Sequence, residues 1–174
     1  MKCIPITAIV VTYPSITGLK LVDYSHLMAH AEKKIMKKGT VLVKEGEDNN
    51  HVHLIISGHL SVVKNKHFVA RLGGHQFVGE MSFLRWQNKL DQFRHQEKVL
   101  QNIIRAKNIL EVDDELGSDI IRTQKEIEIE RARKGVEGVL ESGEACYADV
   151  TCLEDAVTYS WSFMDLENVL KKVS

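Results

Sequence analysis

Three groups of residues have the types and spacing to do chemistry. The first is Gly79-Glu80-Met81-Ser82, which follows the apolar pair Phe77-Val78. A glycine beside a helical turn lets backbone N–H groups approach an anionic phosphate, and a neighbouring carboxylate can accept the hydrogen of a sugar hydroxyl. The plainer reading of the same residues is a turn in which Glu80 caps a helix N-terminus. The second group is His51-x-His53, downstream of Gly46. Alternate residues on a strand point the same way and can share a metal. The third ligand is missing, because Ile56-Ser57-Gly58 stand where a carboxylate is needed, so two edge-strand histidines are the simpler expectation. His26 and His30 lie at i, i+4 of an expected helix and also lack an acidic partner. The third group is the cysteines. Cys3, Cys146 and Cys152 form no C-x-x-C pair, and no histidine near the last two could activate a thiol.

The composition narrows the classes further. A chain of 174 residues, 44% hydrophobic, supports one domain with a real core. Lys plus Arg total 23 against 24 Asp plus Glu, which leaves no overall field to attract nucleic acid or an anionic membrane. Neither a nucleophile elbow nor a P-loop is present. The apolar stretch from Ile4 to Val11 is short and broken by Pro5 and Thr7, so no membrane helix is expected there. With an odd number of thiols and no disulfide framework, a reduced, cytoplasmic setting is the expectation.

The elements that must hold these residues follow from periodicity. A lead-in occupies 1–18. From Leu19 to Met36 the apolar spacing is mostly helical, and Lys33, Lys34, Lys37 and Lys38 before Gly39 resemble the basic end of a helix. Short Val- and Ile-rich runs at 40–43, 52–56, 60–63 and 68–72, punctuated by Gly46, Gly58, Asn65 and Gly73-Gly74, predict strands. A last β segment runs from Asp149 to Trp161, and a helix from about Met164 to Lys172. Residues 85–144 are densely charged, and their stripe of Trp86, Leu90, Phe93, Leu100, Ile103, Ile104 and Leu110 predicts two antiparallel helices inserted between 19–84 and 145–174. The alternative is a partly disordered excursion, since 125–134 is almost entirely charged and Gly135 and Gly138 weaken the second helix. The fold class is therefore α+β: an antiparallel roll with flanking N- and C-terminal helices and a helical insertion.

Taken in order, the runs 39–46, 52–58, 69–72 and 77–84, ending in Phe77-Val78-Gly79-Glu80-Met81-Ser82-Phe83-Leu84, resemble the cyclic nucleotide-binding domain family. The resemblance resumes at Ala145 to Val157 and Trp161 to Leu170. It implies a β-roll, jelly-roll-like and described as a double-stranded β-helix, with a phosphate-binding cassette that begins at Phe77. Gly79, Met81 and Ser82 would then face a cyclic phosphate and Glu80 the ribose 2′-OH. Ala145-Cys146-Tyr147-Ala148-Asp149-Val150 matches the closing strand, with Ala148 as its alanine and Cys146 where the family carries the arginine that pairs with phosphate. Arg85 could stand in for that charge, or be a solvated residue at a helix start. The cassette and Tyr159-Ser160-Trp161 are most similar to the Popeye-like branch, whose members are cyclic nucleotide effectors, often attached to membrane segments, and commonly lack the arginine.

The resemblance implies a regulatory module without catalysis, whose ligand is cyclic AMP or cyclic GMP and which needs no other cofactor. Partners would be the cyclic nucleotide and, through the helices, a second copy or another protein. No room remains after the roll for a helix-turn-helix, so nucleic acid is not expected. Membrane association would come only through a partner or a segment outside this chain. Two alternatives stay open: a ligand-free roll whose insertion mediates protein interaction, and, on His51-x-His53, a cupin-like metalloenzyme.

Overall fold

The computed structural model of the chain describes residues 27–110 and 115–171. Among the described residues, helical residues 27–29 lead into ten strands and three longer helices, in order β1 (Glu32–Met36), β2 (Val41–Val43), β3 (Asp48–Asn49), β4 (His51–Ser57), β5 (Leu60–Lys64), β6 (His67–Leu72), β7 (Phe77–Val78), α1 (Glu80–Leu110), α2 (Glu115–Glu141), β8 (Glu144–Ala145), β9 (Asp149–Cys152), β10 (Ala156–Ser162) and α3 (Phe163–Lys171). The strands form two four-stranded antiparallel sheets, ordered β1-β10-β4-β7 and β2-β9-β5-β6, and a small pair β3-β8. Two compact units emerge. The first combines residues up to Leu84 with Gly143–Ser174, and the second is Arg85–Ser142.

The first unit is a β-roll. Its core is built from inward-facing residues of both sheets: Met36, Ile55, Val78 and Ala156 from one, Leu60, Val150 and Cys152 from the other. Alternation along β4 sends Leu54 to the opposite face, where it packs with Trp161, Leu27 and Val169 of α3. The indole N–H of Trp161 donates to the Leu27 carbonyl at 2.6 Å, so the polar edge of a buried ring is satisfied. The start of α3 is fixed by Ser162, whose hydroxyl accepts from the Asp165 amide at 3.1 Å and donates to its carboxylate at 2.6 Å.

Within the second unit α1 and α2 run antiparallel. The Trp86 indole donates to the Val139 carbonyl at 2.6 Å, Phe93 lies on Gly135, and Arg133 pairs with Glu97 at 2.9 Å, so later residues of α1 meet earlier residues of α2. Gly135 is a packing position. A Cβ there would come within 2.5 Å of the Phe93 ring.

The sequence reading needs four corrections. Residues 32–36, expected at the end of a helix, form β1 instead; they pair with β10 from Glu32↔Ser160 to Met36↔Ala156. Tertiary pairing outweighs a weak helical period here, and Lys33 and Lys34 sit on an edge strand, where charge discourages further pairing. The expected lead-in at 1–18, the helix over 19–26 and His26 lie outside the described residues. The insertion's helix starts at Glu80, inside the glycine-acid motif, and the insertion ends before Glu144, which is buried in β8 opposite Asn49. The segment 149–161 is two strands, broken at 153–155. His51 and His53 lie on β4, between β10 and β7, so they are not on an edge strand. Their rings stack 6.1 Å apart, and among the described residues no group of three metal-ligating side chains forms.

Candidate functional site

The residues that position the site come from strand ends. The end of β7 delivers the chain to Gly79, which has φ +91°. An added Cβ at Gly79 would lie 2.6 Å from the His51 carbonyl oxygen and 2.8 Å from the Asn49 amide nitrogen, so glycine alone fits this conformation and this space. Asn49 in turn holds that stretch of backbone, donating to the His51 carbonyl at 2.6 Å and accepting from the His51 amide at 3.2 Å. Directly after the turn α1 begins at Glu80, and its first helical bond runs from the Phe83 amide to the Gly79 carbonyl at 3.0 Å. The amides at the start of a helix have no intrahelical acceptor and face outward with the positive end of the dipole. Phe83 anchors this turn by an edge-on contact with Phe163 at 5.6 Å.

The opposite wall is Cys146-Tyr147-Ala148, between β8 and β9. Its backbone is pinned, since the Cys146 amide donates to Glu47 and its carbonyl accepts from Gly46, both at 2.9 Å. The Asp149 carboxylate accepts the Glu45 amide at 2.7 Å.

Between the walls lies one cavity of about 260 Å³, just under the roughly 300–1,000 Å³ usual for small-molecule pockets. All seven residues expected at a ligand site line it: Phe77, Gly79, Glu80, Met81, Ser82, Cys146 and Ala148. The sequence reading missed the apolar floor from Val43, Val62, Leu72, Val78 and Val150, and it missed Tyr147. Alternation along β5 and β9 is the signal that could have found the valines.

The electrostatics are lopsided. Burial pushes the Glu80 carboxyl above its usual range, and its own backbone amide partly offsets this by donating to it. A half-buried carboxylate of this kind is a strong acceptor for a ligand hydroxyl. No Lys or Arg is among the lining residues, and Arg85 is not one of them. A second cavity, also of about 260 Å³, shares Cys146 and Val43 with the first and includes Lys44, but that ammonium is paired with Glu47 at 2.6 Å. The Cys152 thiol is buried in the core, and burial raises its pKa.

Comparison with known proteins bears on this arrangement. Residues 33–102 match the family model of the cyclic nucleotide-binding domain, a span that includes the Gly79 turn and stops before Cys146. No curated protein sequence matches the chain. Among solved structures, the regulatory subunit of a cAMP-independent protein kinase A from Trypanosoma brucei is 16% identical with a TM-score of 0.56, over 96% of this chain and 41% of that one. A variant of that subunit with three substitutions, one of them threonine to arginine, is bound to cAMP in its A site; it is 17% identical with a TM-score of 0.55, over 96% of this chain and 46% of that one. A cyclic nucleotide-binding-like protein from Brucella abortus is 10% identical with a TM-score of 0.54, over 94% of this chain and 95% of that one. The chain thus spans about two fifths of the kinase subunit's length. Among the described residues no helix is long and apolar enough to cross a membrane. The first unit has the β-roll fold of cyclic nucleotide-binding domains, and residues 33–102 carry that domain's sequence pattern.

Proposed function

We infer that the chain is a regulatory module that binds a cyclic nucleotide, cyclic AMP or cyclic GMP, and catalyses no reaction. The observation that carries this reading is the convergence of two segments on either side of the insertion, 77–82 and 146–148, on one cavity. Helix-start amides at one wall suit a phosphate, Glu80 suits a ribose hydroxyl, and the apolar floor suits a base. The Popeye-like branch fits the cysteine at position 146. A charged contact to phosphate is worth about 1.5–3 kcal/mol, so a site without the arginine binds one to two decades more weakly. Binding in the micromolar range or poorer follows.

Calorimetry with cyclic AMP and cyclic GMP tests this on three proteins. Cys146→Arg tightens binding about tenfold or more, and Glu80→Ala abolishes it. The trypanosome variant that gains an arginine and is bound to cAMP supports this expectation. If neither the wild type nor Cys146→Arg binds at millimolar ligand, the reading is wrong. A ligand-free roll with an interaction arm then takes its place, a reading favoured by exposed Val99 and Ile103 on α1 and Ile127 on α2.

A further inference from the structure

We propose that the Lys64 ammonium, seated on the Tyr147 ring beside the cavity, supplies the positive charge that the Cys146 side chain does not. This rests on the cyclic nucleotide reading above and names a phosphate-contacting residue for it. Three observations lead to Lys64. Val62 lines the cavity from β5, and the strand's period of two puts Lys64 on the same face, one pleat further on. The pairing of β5 with β9 is regular from Leu60↔Cys152 to Val63↔Asp149, and the register shift of β5 against β6 between Val62 and Val63 places its extra residue, Val69, on β6, so β5 keeps its alternation as far as Lys64. Its Nζ stands 5.0 Å from the centre of the Tyr147 ring, and Tyr147 both lines the cavity and is half exposed.

The contrast with neighbouring lysines sharpens the point. Lys44 and Lys37 are neutralised by Glu47 and Asp155 at 2.6 and 2.7 Å. Lys64 has no carboxylate partner among the described residues; it rests on the face of an aromatic ring, which attracts a cation without cancelling its charge. An ammonium on a flexible stem can turn from the ring to an anion that enters the cavity, trading a weak contact for a charge-assisted hydrogen bond. In this arrangement Tyr147 acts as a positioning residue that keeps the cation at the site when no anion is present.

The test is calorimetry of the whole chain against two probes, cyclic AMP and adenosine, which share base and ribose but differ in the phosphate. Lys64→Ala weakens cyclic AMP binding about tenfold and leaves adenosine binding within about twofold. Lys64→Arg restores cyclic AMP affinity. In a Cys146→Arg background the loss caused by Lys64→Ala shrinks, because two cations then answer one phosphate. If the wild type binds cyclic AMP and Lys64→Ala binds it equally well, the proposal is overturned while the functional reading stands. Equal weakening of both probes also overturns it, since Lys64 would then shape the cavity rather than charge it. A wild type that binds neither probe overturns the functional reading and this proposal with it.

Discussion

The β-roll and the helical pair bury their apolar residues in different ways. In the roll, side chains from two sheets and α3 interdigitate into two cores, and Leu54, Ile55, Leu60, Trp161 and Phe163 are almost fully enclosed. The pair encloses Trp86, Leu90, Ala132 and Val139, and leaves Val99, Ile103 and Ile127 about 40–48% exposed. Its long surface is laced with ion pairs such as Arg133–Glu97 and Lys134–Glu130. Stability in the roll therefore rests on burial, and in the pair on a short apolar seam supplemented by weak surface charge. The site is carried by the part with the larger core, where backbone positions are fixed most tightly.

That contrast can be broken most directly at the two tryptophans. Trp161→Ala costs the roll about 3–5 kcal/mol in urea unfolding. Trp86→Ala lowers helical circular dichroism while the roll's transition stays in place. Loss of the roll's transition in Trp86→Ala would show that the two regions do not melt separately.

A second prediction sharpens the claim that the roll tolerates little polarity inside. Burial, with smaller contributions from the Lys34 and His51 charges, lowers the pKa of His53 to about 3, and its Nδ1 has no hydrogen-bond partner among the described residues. In the unfolded chain the same group titrates near 6.5. As pH falls, the unfolded state therefore takes up a proton first. Stability is full above about pH 6.5 and declines by a few kcal/mol toward pH 3. Denaturant midpoints across this range record the slope, and His53→Gln flattens it.

Smaller effects separate backbone constraint from surface charge. Gly79→Ala costs roughly 2 kcal/mol, from the left-handed backbone and the close His51 carbonyl, and shifts the thermal midpoint of the roll. Arg133→Gln removes an exposed ion pair of the helical pair and leaves the thermal midpoint almost unchanged. A Gly79→Ala effect as small as that of Arg133→Gln would remove the distinction between the two regions.

The strands that carry the floor of the cavity were legible because Val and Ile alternate between glycine turns, and the order of those turns pointed to the roll. That the seven residues expected at the site line one cavity follows from a glycine-acid motif and a closing strand with characteristic local sequences. What was not legible depends on distant partners. Glu32–Met36 has no strand signature of its own and becomes one by pairing with β10. Glu144 reads as one more charge in a charged stretch, and is buried by pairing with Asn49. Tyr147 and Lys64 are brought together by the β5–β9 ladder, which no local pattern announces.

The antiparallel contact between Trp86 and Val139, residues 53 apart, has a consequence for folding order. The two cavity walls lie on opposite sides of the whole insertion, so bringing them together from an unstructured chain means closing a long loop. Once α1 and α2 have paired as far as Trp86 and Val139, the open chain between the walls shrinks to about ten residues. By the logarithmic dependence of closure entropy on loop length, that shortening lowers the cost of joining the walls by roughly 1.5 kcal/mol. Pairing of α1 with α2 thus offsets part of the closure cost that the insertion itself adds to the non-local pairing of β5 with β9.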